Sequence, residues 1–193
     1  PTPQTSYGIH KLICEHLVSD YTRKGYIDGR SARLMTVTVR PGRPNGAASS
    51  FFSGIIREPL AGVEAVCPVD PSTAHPIASP QSTVLSLVGL MTAPRDVLKR
   101  RLAVTLPAVN VTVAQMLDAL ERVAGPAVRA RVRFEHDARL AGIVANWPRA
   151  AKATTATDVL GFPGDASFDA IIQQYIDDMR LAGQTATALK GLA

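Results

Sequence analysis

TSYGIHKLICEHLVSDYTRKGYIDGRSARLMTVTVRPG, residues 5–42, reads as a helix followed by a strand. Ile9, Leu12, Ile13, His16 and Leu17 recur at helical spacing, and Gly25 is a C-terminal stop, so the pattern predicts a helix over residues 5–24. A second stripe of Tyr7, Lys11, Cys14 and Val18 lies on the opposite side at the same spacing, which predicts a helix packed on both sides. Residues 31–40 are β-branched and nearly continuous in apolarity, as suits a parallel strand covered on both faces. Helix followed by buried parallel strand is the unit of an α/β fold. The loop Pro41-Gly42-Arg43-Pro44-Asn45-Gly46 then leaves the carboxyl end of that strand, where open α/β sheets bind their ligands. Composition alone favours the alternative that Pro and Gly merely make a tight exit from the sheet.

Further along, Ser49 or Ser50 is placed to cap a helix through Phe51, Ile55 and Ile56 to about Glu58, with Pro59 ending it. Residues 63–69 read as a short strand. Ser79-Pro80 starts a helix whose apolar set is Val84, Leu85, Leu87, Val88 and Leu90. Thr112 and Gln115 form a capping box ahead of Val113, Met116, Leu117 and Leu120, and Gly125-Pro126 closes that helix. Residues 128–134 read as a strand. A last amphipathic helix carries Phe168, Ile171, Ile172, Tyr175, Ile176 and Met179, and the tail from Gly183 is expected to fray.

The chain has 193 residues, 46% of them apolar and 19% charged, which is material for a folded core and argues against disorder. No apolar run is long enough for a membrane span, and no secretory leader pattern is present. Cys14 and Cys67 form no CxxC pair, which argues against a disulfide framework or a four-ligand zinc site and fits a reducing cytoplasm. The net charge of +5 is spread out, with short clusters at Lys99-Arg100-Arg101 and at Arg129, Arg131 and Arg133. Aromatic residues make up 5% of the chain and do not interleave with these clusters, so a solvated surface is the better reading and nucleic acid is not an expected partner.

Tyr7 and Lys11 project from one helix face, one turn apart. A free phenol is a poor base at neutral pH, and a neighbouring ammonium favours its phenolate. Such a tyrosine can take the proton of an alcohol as hydride leaves the carbon, while the lysine donates hydrogen bonds to ribose hydroxyls. A Tyr and a Lys four apart is weak evidence by itself, since many helices contain such a pair.

The surroundings add to it. PQTSYGIHKLICEHL (residues 3–17), with Pro3, Ser6, Gly8 and Glu15 around the pair, precedes RLMTVTVRPG. Together they resemble the extended short-chain dehydrogenases/reductases of the NAD-dependent epimerase/dehydratase group. RPGRPNGAASSFFSGIIREPLAGVEAVCPV (residues 40–69) is similar to one branch of that family, the D-erythronate dehydrogenases. The likeness is specific from Pro3 to about Val69. It is looser from Ser79 to Met179, where it rests on the order of elements and on GFPGDASFDAIIQQYIDDM.

The resemblance implies oxidation of the C2 hydroxyl of a four-carbon sugar acid to the 2-oxo acid, with NAD as cofactor. It implies Tyr7 as catalytic base, Lys11 as its cofactor-binding partner, and Met35, Thr36 and Val37 as the segment approaching the nicotinamide. Residues 45–53 would line the substrate pocket, with Asn45, Ser49, Ser50 and Ser53 bonding hydroxyls. That wall is small and hydroxyl-rich, which suits a compact polyol acid; alternatively its serines only cap the helix that follows. Arg57 or Arg40 would grip the carboxylate, since a guanidinium pairs with it bidentately. For Arg40 a structural ion pair at the strand end is an equal alternative. The family commonly dimerises through its catalytic helix, so a homodimer is expected of the full-length enzyme.

The sequence departs from the family in one large respect. No GxxGxxG turn follows a strand anywhere in it, nor is the upstream Ser or Thr of the family present. The chain resembles the C-terminal three-fifths of an enzyme, and by itself is expected to be inactive. The expected architecture is the C-terminal portion of a Rossmann-like doubly wound sheet plus a smaller α+β substrate-binding domain. Residues 1–60 complete the cofactor domain, 61–180 form mostly the substrate domain, and 181–193 are a tail. Residues 7–40 should then expose apolar surface. His10 and Cys14 are an i, i+4 pair but lack further ligands, so no metal is expected. GxSxG, HExxH and P-loop motifs are absent. Two alternatives stay open: a sugar-nucleotide epimerase or dehydratase, and a non-catalytic remnant that binds a partner.

Overall fold

The computed structural model describes residues 2–43, 45–98 and 103–192. The cluster Lys99-Arg100-Arg101 lies outside the described residues. The first helix, α1 (Ser6–Arg23), starts where the Thr5 side chain accepts a hydrogen bond from the Gly8 amide at 3.1 Å. It stops before Gly25, whose φ of +82° suits a residue without a Cβ. Within this chain α1 is not packed on both sides: none of its residues is buried, and Ile9, Ile13 and Leu17 are exposed. Tyr21, Tyr26, Ile27 and Leu34 are exposed as well, so much apolar surface over residues 7–40 is open. What ties α1 to the strand behind it is polar. Arg33 forks onto Glu15 with bonds of 2.8 and 2.6 Å.

The strand expected over residues 31–40 is two short strands, β1 (Ala32–Arg33) and β2 (Thr36–Val37). The reason is a change of partner. β1 pairs in parallel with β5 (Val104–Thr105), whereas β2 pairs in parallel with β4 (Ala74–Ala78). Leu34 and Met35 span the switch. β4 also pairs antiparallel with β6 (Val109–Thr112), and β3 (Ala65–Cys67) pairs in parallel with β7 (Val132–Phe134). Predominantly parallel strands joined through helices make this an α/β fold. Strands β4, β5 and β6 carry little β-branched alternation beyond two to five residues, which is why periodicity did not predict them.

The main core gathers α2 (Ser50–Leu60), α5 (Val113–Ala124) and α8 (Phe168–Leu181) over β3 and β7. Phe52, Ile55, Ile56 and Leu60 meet Met116, Leu117 and Leu120, and all six predicted positions of α8 are buried. The capping box of α5 forms as read, Thr112 and Gln115 exchanging bonds of 2.8 and 3.2 Å. Short helices α4 (Arg95–Leu98), α6 (Pro126–Arg129) and α7 (Ala138–Val144) fill the connections.

Helix α3 (Pro80–Thr92) begins at the Ser79 cap as expected but turns the other way. Its small face of Ser82, Thr83 and Ser86 is buried with Leu90, while Val84, Leu85, Leu87 and Val88 are exposed. Ser82 Oγ donates to the Pro163 carbonyl at 3.1 Å, and a Cβ on Gly89 would stand 2.8 Å from the Phe162 ring. Close approach to this neighbour, which only small residues permit, decides the facing. The tail does not fray. Past α9 (Thr185–Ala188), Leu189 is buried in the core and Gly191 lies so near the Pro59 carbonyl that a Cβ would fall 2.2 Å from it.

Candidate active site

Tyr7 stands in the first turn of α1, 72% exposed, with Lys11 one turn on and its Nζ 5.3 Å from the ring centroid. The structure thus brings the predicted pair together. Neither polar tip has a hydrogen-bond partner among the described residues. Gly8 explains the shape of this turn: a Cβ there would meet Pro3 Cβ at 2.8 Å, so only glycine lets residues 3–5 fold back against the helix start.

The Glu15–Arg33 fork also sets the level of the strand. Thr36 and Val37 follow on β2, three and four residues beyond Arg33. Both are half-buried, as is Met35.

Beyond β2 the helix α2 holds the chain from the side. Ser53 is buried, and its Oγ accepts the Arg40 amide at 3.1 Å and lies 3.4 Å from Thr38 Oγ1. Arg57 is buried too: it donates to the Arg40 carbonyl at 2.8 Å and to Glu58 Oε1 at 2.6 Å. These two residues, read from sequence as substrate contacts, have turned into the protein. Asn45 and Ser50 hold the loop to the start of α2: the Asn45 amide donates to Ser50 Oγ at 3.3 Å, and Asn45 Oδ1 accepts the Ala47 amide at 3.0 Å. Ser49 is the N-cap residue, yet its side chain makes no cap bond. Neither adjacent serine therefore caps α2 in the expected way, because the loop takes Ser50 and Ser49 has helical backbone angles. Among the described residues the Ser49 side chain has no hydrogen bond, while its carbonyl accepts from the Phe52 amide at 3.3 Å.

His75, on β4, was not singled out from sequence. Its ring stacks on Phe52 at 4.9 Å and leans against Trp147 at 5.4 Å. Its Nδ1 lies 3.0 Å from the Pro148 carbonyl, which can only accept, so Nδ1 carries the proton; Nε2 then accepts from Thr36 Oγ1 at 2.7 Å. Burial lowers its pKa from the ordinary histidine value, with the Pro148 bond opposing. The unit links a predicted site residue to a loop over seventy residues away. A histidine inside an otherwise apolar strand, AHPIA, was the available signal.

Among the described residues no group of three His, Cys, Asp or Glu could hold a metal ion. A cavity of about 670 Å³ lies near the far end of α1 from Tyr7, lined by residues such as Val18, Thr22, Arg30, Leu90 and Val104, and belongs to no predicted site. No helix among the described residues is long and apolar enough to cross a membrane.

No protein-family profile matches the chain. It is 52% identical over 180 residues to a D-erythronate dehydrogenase of Cupriavidus necator, covering 93% of this chain and 55% of that protein. A D-erythronate dehydrogenase of Haemophilus influenzae is 44% identical over 176 residues, covering 91% of this chain and 56% of that protein. The fold superposes, with a TM-score of 0.89, on the crystal structure of a nucleoside-diphosphate-sugar epimerase from Agrobacterium tumefaciens; the two are 42% identical, over 94% of this chain and 53% of that one. The chain spans about half the length of these relatives. With the YGIHK helix, the parallel strands behind it and these likenesses together, the chain belongs to the extended short-chain dehydrogenases/reductases, in the epimerase/dehydratase group.

Proposed function

We propose that the enzyme of which these residues form part oxidises the C2 hydroxyl of a four-carbon sugar acid to the 2-oxo acid, with NAD as the acceptor. The observation that carries this reading is the Tyr7–Lys11 pair, on one helix face and with both polar tips unpaired among the described residues. Identity of 44–52% to proteins named D-erythronate dehydrogenase supports the substrate class. When bound, NAD would supply the hydride acceptor for C2. Tyr7 Oη takes the hydroxyl proton. Lys11 stands on the same face, its ammonium free for ribose hydroxyls and for the phenolate. Met35, Thr36 and Val37 would approach the nicotinamide. Asn45, Ser49 and Ser50 would meet the substrate's hydroxyls, with Ser49 the least encumbered; Ser53 and Arg57 support the wall from behind. The 193 residues contain no Gly-rich pyrophosphate turn, so on their own they are expected not to turn over NAD. Two chains meeting along α1 would cover Ile9, Ile13 and Leu17, which supports a homodimer of the whole enzyme. Free Cys14 and Cys67 accord with a cytoplasmic location.

A second reading, turnover of a nucleotide sugar, is favoured by the epimerase structure on which the fold superposes. Steady-state kinetics on the intact enzyme separate the two. Four-carbon 2-hydroxy acids are expected to be preferred to UDP- and dTDP-sugars, and Tyr7→Phe to lose most of kcat. Robust turnover by Tyr7→Phe would refute the role of Tyr7, and efficient use of a nucleotide sugar would replace the sugar acid.

A further inference from the structure

We propose that Arg40 is the residue that grips the substrate's carboxylate, and that Ser53 and Arg57 serve it only as positioning residues. This rests on the sugar-acid reading above. A carboxylate is held best by a guanidinium, whose planar fork matches its two oxygens. Of the other arginines near the strand, Arg33 and Arg57 are engaged, whereas Arg43 is exposed on the loop and, among the described residues, has no bond. Arg57 spends its donors on the Arg40 carbonyl and on Glu58, and Arg33 spends its fork on Glu15. Arg40 differs: among the described residues its guanidinium has no hydrogen bond and no ion pair, so the structural ion pair that would explain it otherwise is not there.

The backbone of Arg40 is by contrast held at both ends. Its amide donates to Ser53 Oγ at 3.1 Å and its carbonyl accepts from Arg57 at 2.8 Å. Both holders are buried on one helix, α2, whose own apolar face lies in the main core. A main chain fixed in this way leaves only side-chain rotamers to be ordered when an anion binds, which lowers the cost of binding. Arg40 is also half-buried, where a charge-assisted bond is worth more than at full exposure. It lies three residues beyond Val37, the last residue of β2. Pro41 and Gly42 follow, so Arg40 opens the loop at a point where α2 holds its backbone.

The test uses the intact enzyme with Arg40→Met and Arg40→Lys, a four-carbon 2-hydroxy acid, and the matching tetritol that lacks the carboxylate. Arg40→Met is expected to raise KM for the acid by about tenfold to a hundredfold, the loss of a charge-assisted pair. Arg40→Lys, which keeps the charge without the fork, should fall between. KM for NAD and kcat/KM on the tetritol should stay within about twofold of wild type. Thermal unfolding reports whether each variant is folded; if Arg40→Met is not, the same split between acid and tetritol is read from Arg40→Lys. An unchanged KM for the acid on an active wild-type background would overturn the role of Arg40 and leave the sugar-acid reading standing. So would a parallel loss on acid and tetritol. A wild-type enzyme that ignores the acid and converts a nucleotide sugar would overturn the sugar-acid reading itself, and the carboxylate role with it.

Discussion

Replacing Arg57 by Met separates a residue that faces substrate from one that holds the protein together. The Arg57 side chain is 9% exposed and that of Glu58 is 18%, and their 2.6 Å ion pair is joined by the 2.8 Å bond to the Arg40 carbonyl. Methionine fills similar space but leaves Glu58 with no cation and the Arg40 carbonyl with no donor. Breaking one side of a buried pair costs about 3–5 kcal/mol. Since Glu58 keeps some contact with water, the low end of that range applies. For a urea m-value of about 2 kcal/mol/M, a loss of about 3 kcal/mol lowers the unfolding midpoint by about 1.5 M. Equilibrium urea unfolding followed by circular dichroism measures it. Replacing Glu58 by Met as well removes the stranded charge, so the double variant should unfold at a higher urea concentration than Arg57→Met alone. An Arg57→Met midpoint within about 0.2 M of wild type would refute the reasoning, for it would mean that the guanidinium does not live among these partners. Such a result with a raised KM for the acid would return Arg57 to the substrate.

Two further outcomes follow from packing and protonation. Gly89→Ala pushes a Cβ to 2.8 Å from the Phe162 ring and is expected to cost about 1–3 kcal/mol by urea unfolding, with Phe162→Leu in the same background recovering part of it. His75 is buried neutral with its pKa below the ordinary 6.5, so as pH falls the unfolded chain binds the proton first. Its contribution is therefore complete above about pH 6.5 and is lost as pH falls through the folded value. His75→Phe, which keeps the stack on Phe52, should flatten the slope of unfolding free energy below neutral pH; an unaltered slope would show that His75 is not its source.

How far the sequence reaches can be judged element by element. Helices α1, α5 and α8 were legible because each rests on local signals: a cap, a period and a stop within one stretch. The Tyr7–Lys11 pair was legible for the same reason, since two residues four apart on a helix must share a face whatever surrounds them. The parallel character of residues 31–40 was legible in its apolar run, but its division into β1 and β2 was not, because it depends on which distant strand supplies each edge. Sequence also singled out Ser53 and Arg57 as substrate contacts, without saying which way they point.

By itself, then, the sequence determined the class of fold, the helix that carries Tyr7 and Lys11, and the residue types of the candidate site. Those properties are set by chain-local geometry, by side-chain periodicity and by the chemistry of single groups. Only the tertiary structure decided which of those groups remain free. Arg57 and Ser53 are consumed by the backbone of Arg40, His75 fixes Thr36 through a loop more than seventy residues away, and α3 turns its small face inward because Phe162 lies against Gly89. Each outcome turns on competition for a donor, an acceptor or a few ångströms of space, and the competitors are far apart in sequence. A residue's type states what it can bond; what it does bond is settled by the neighbour that folding brings within reach.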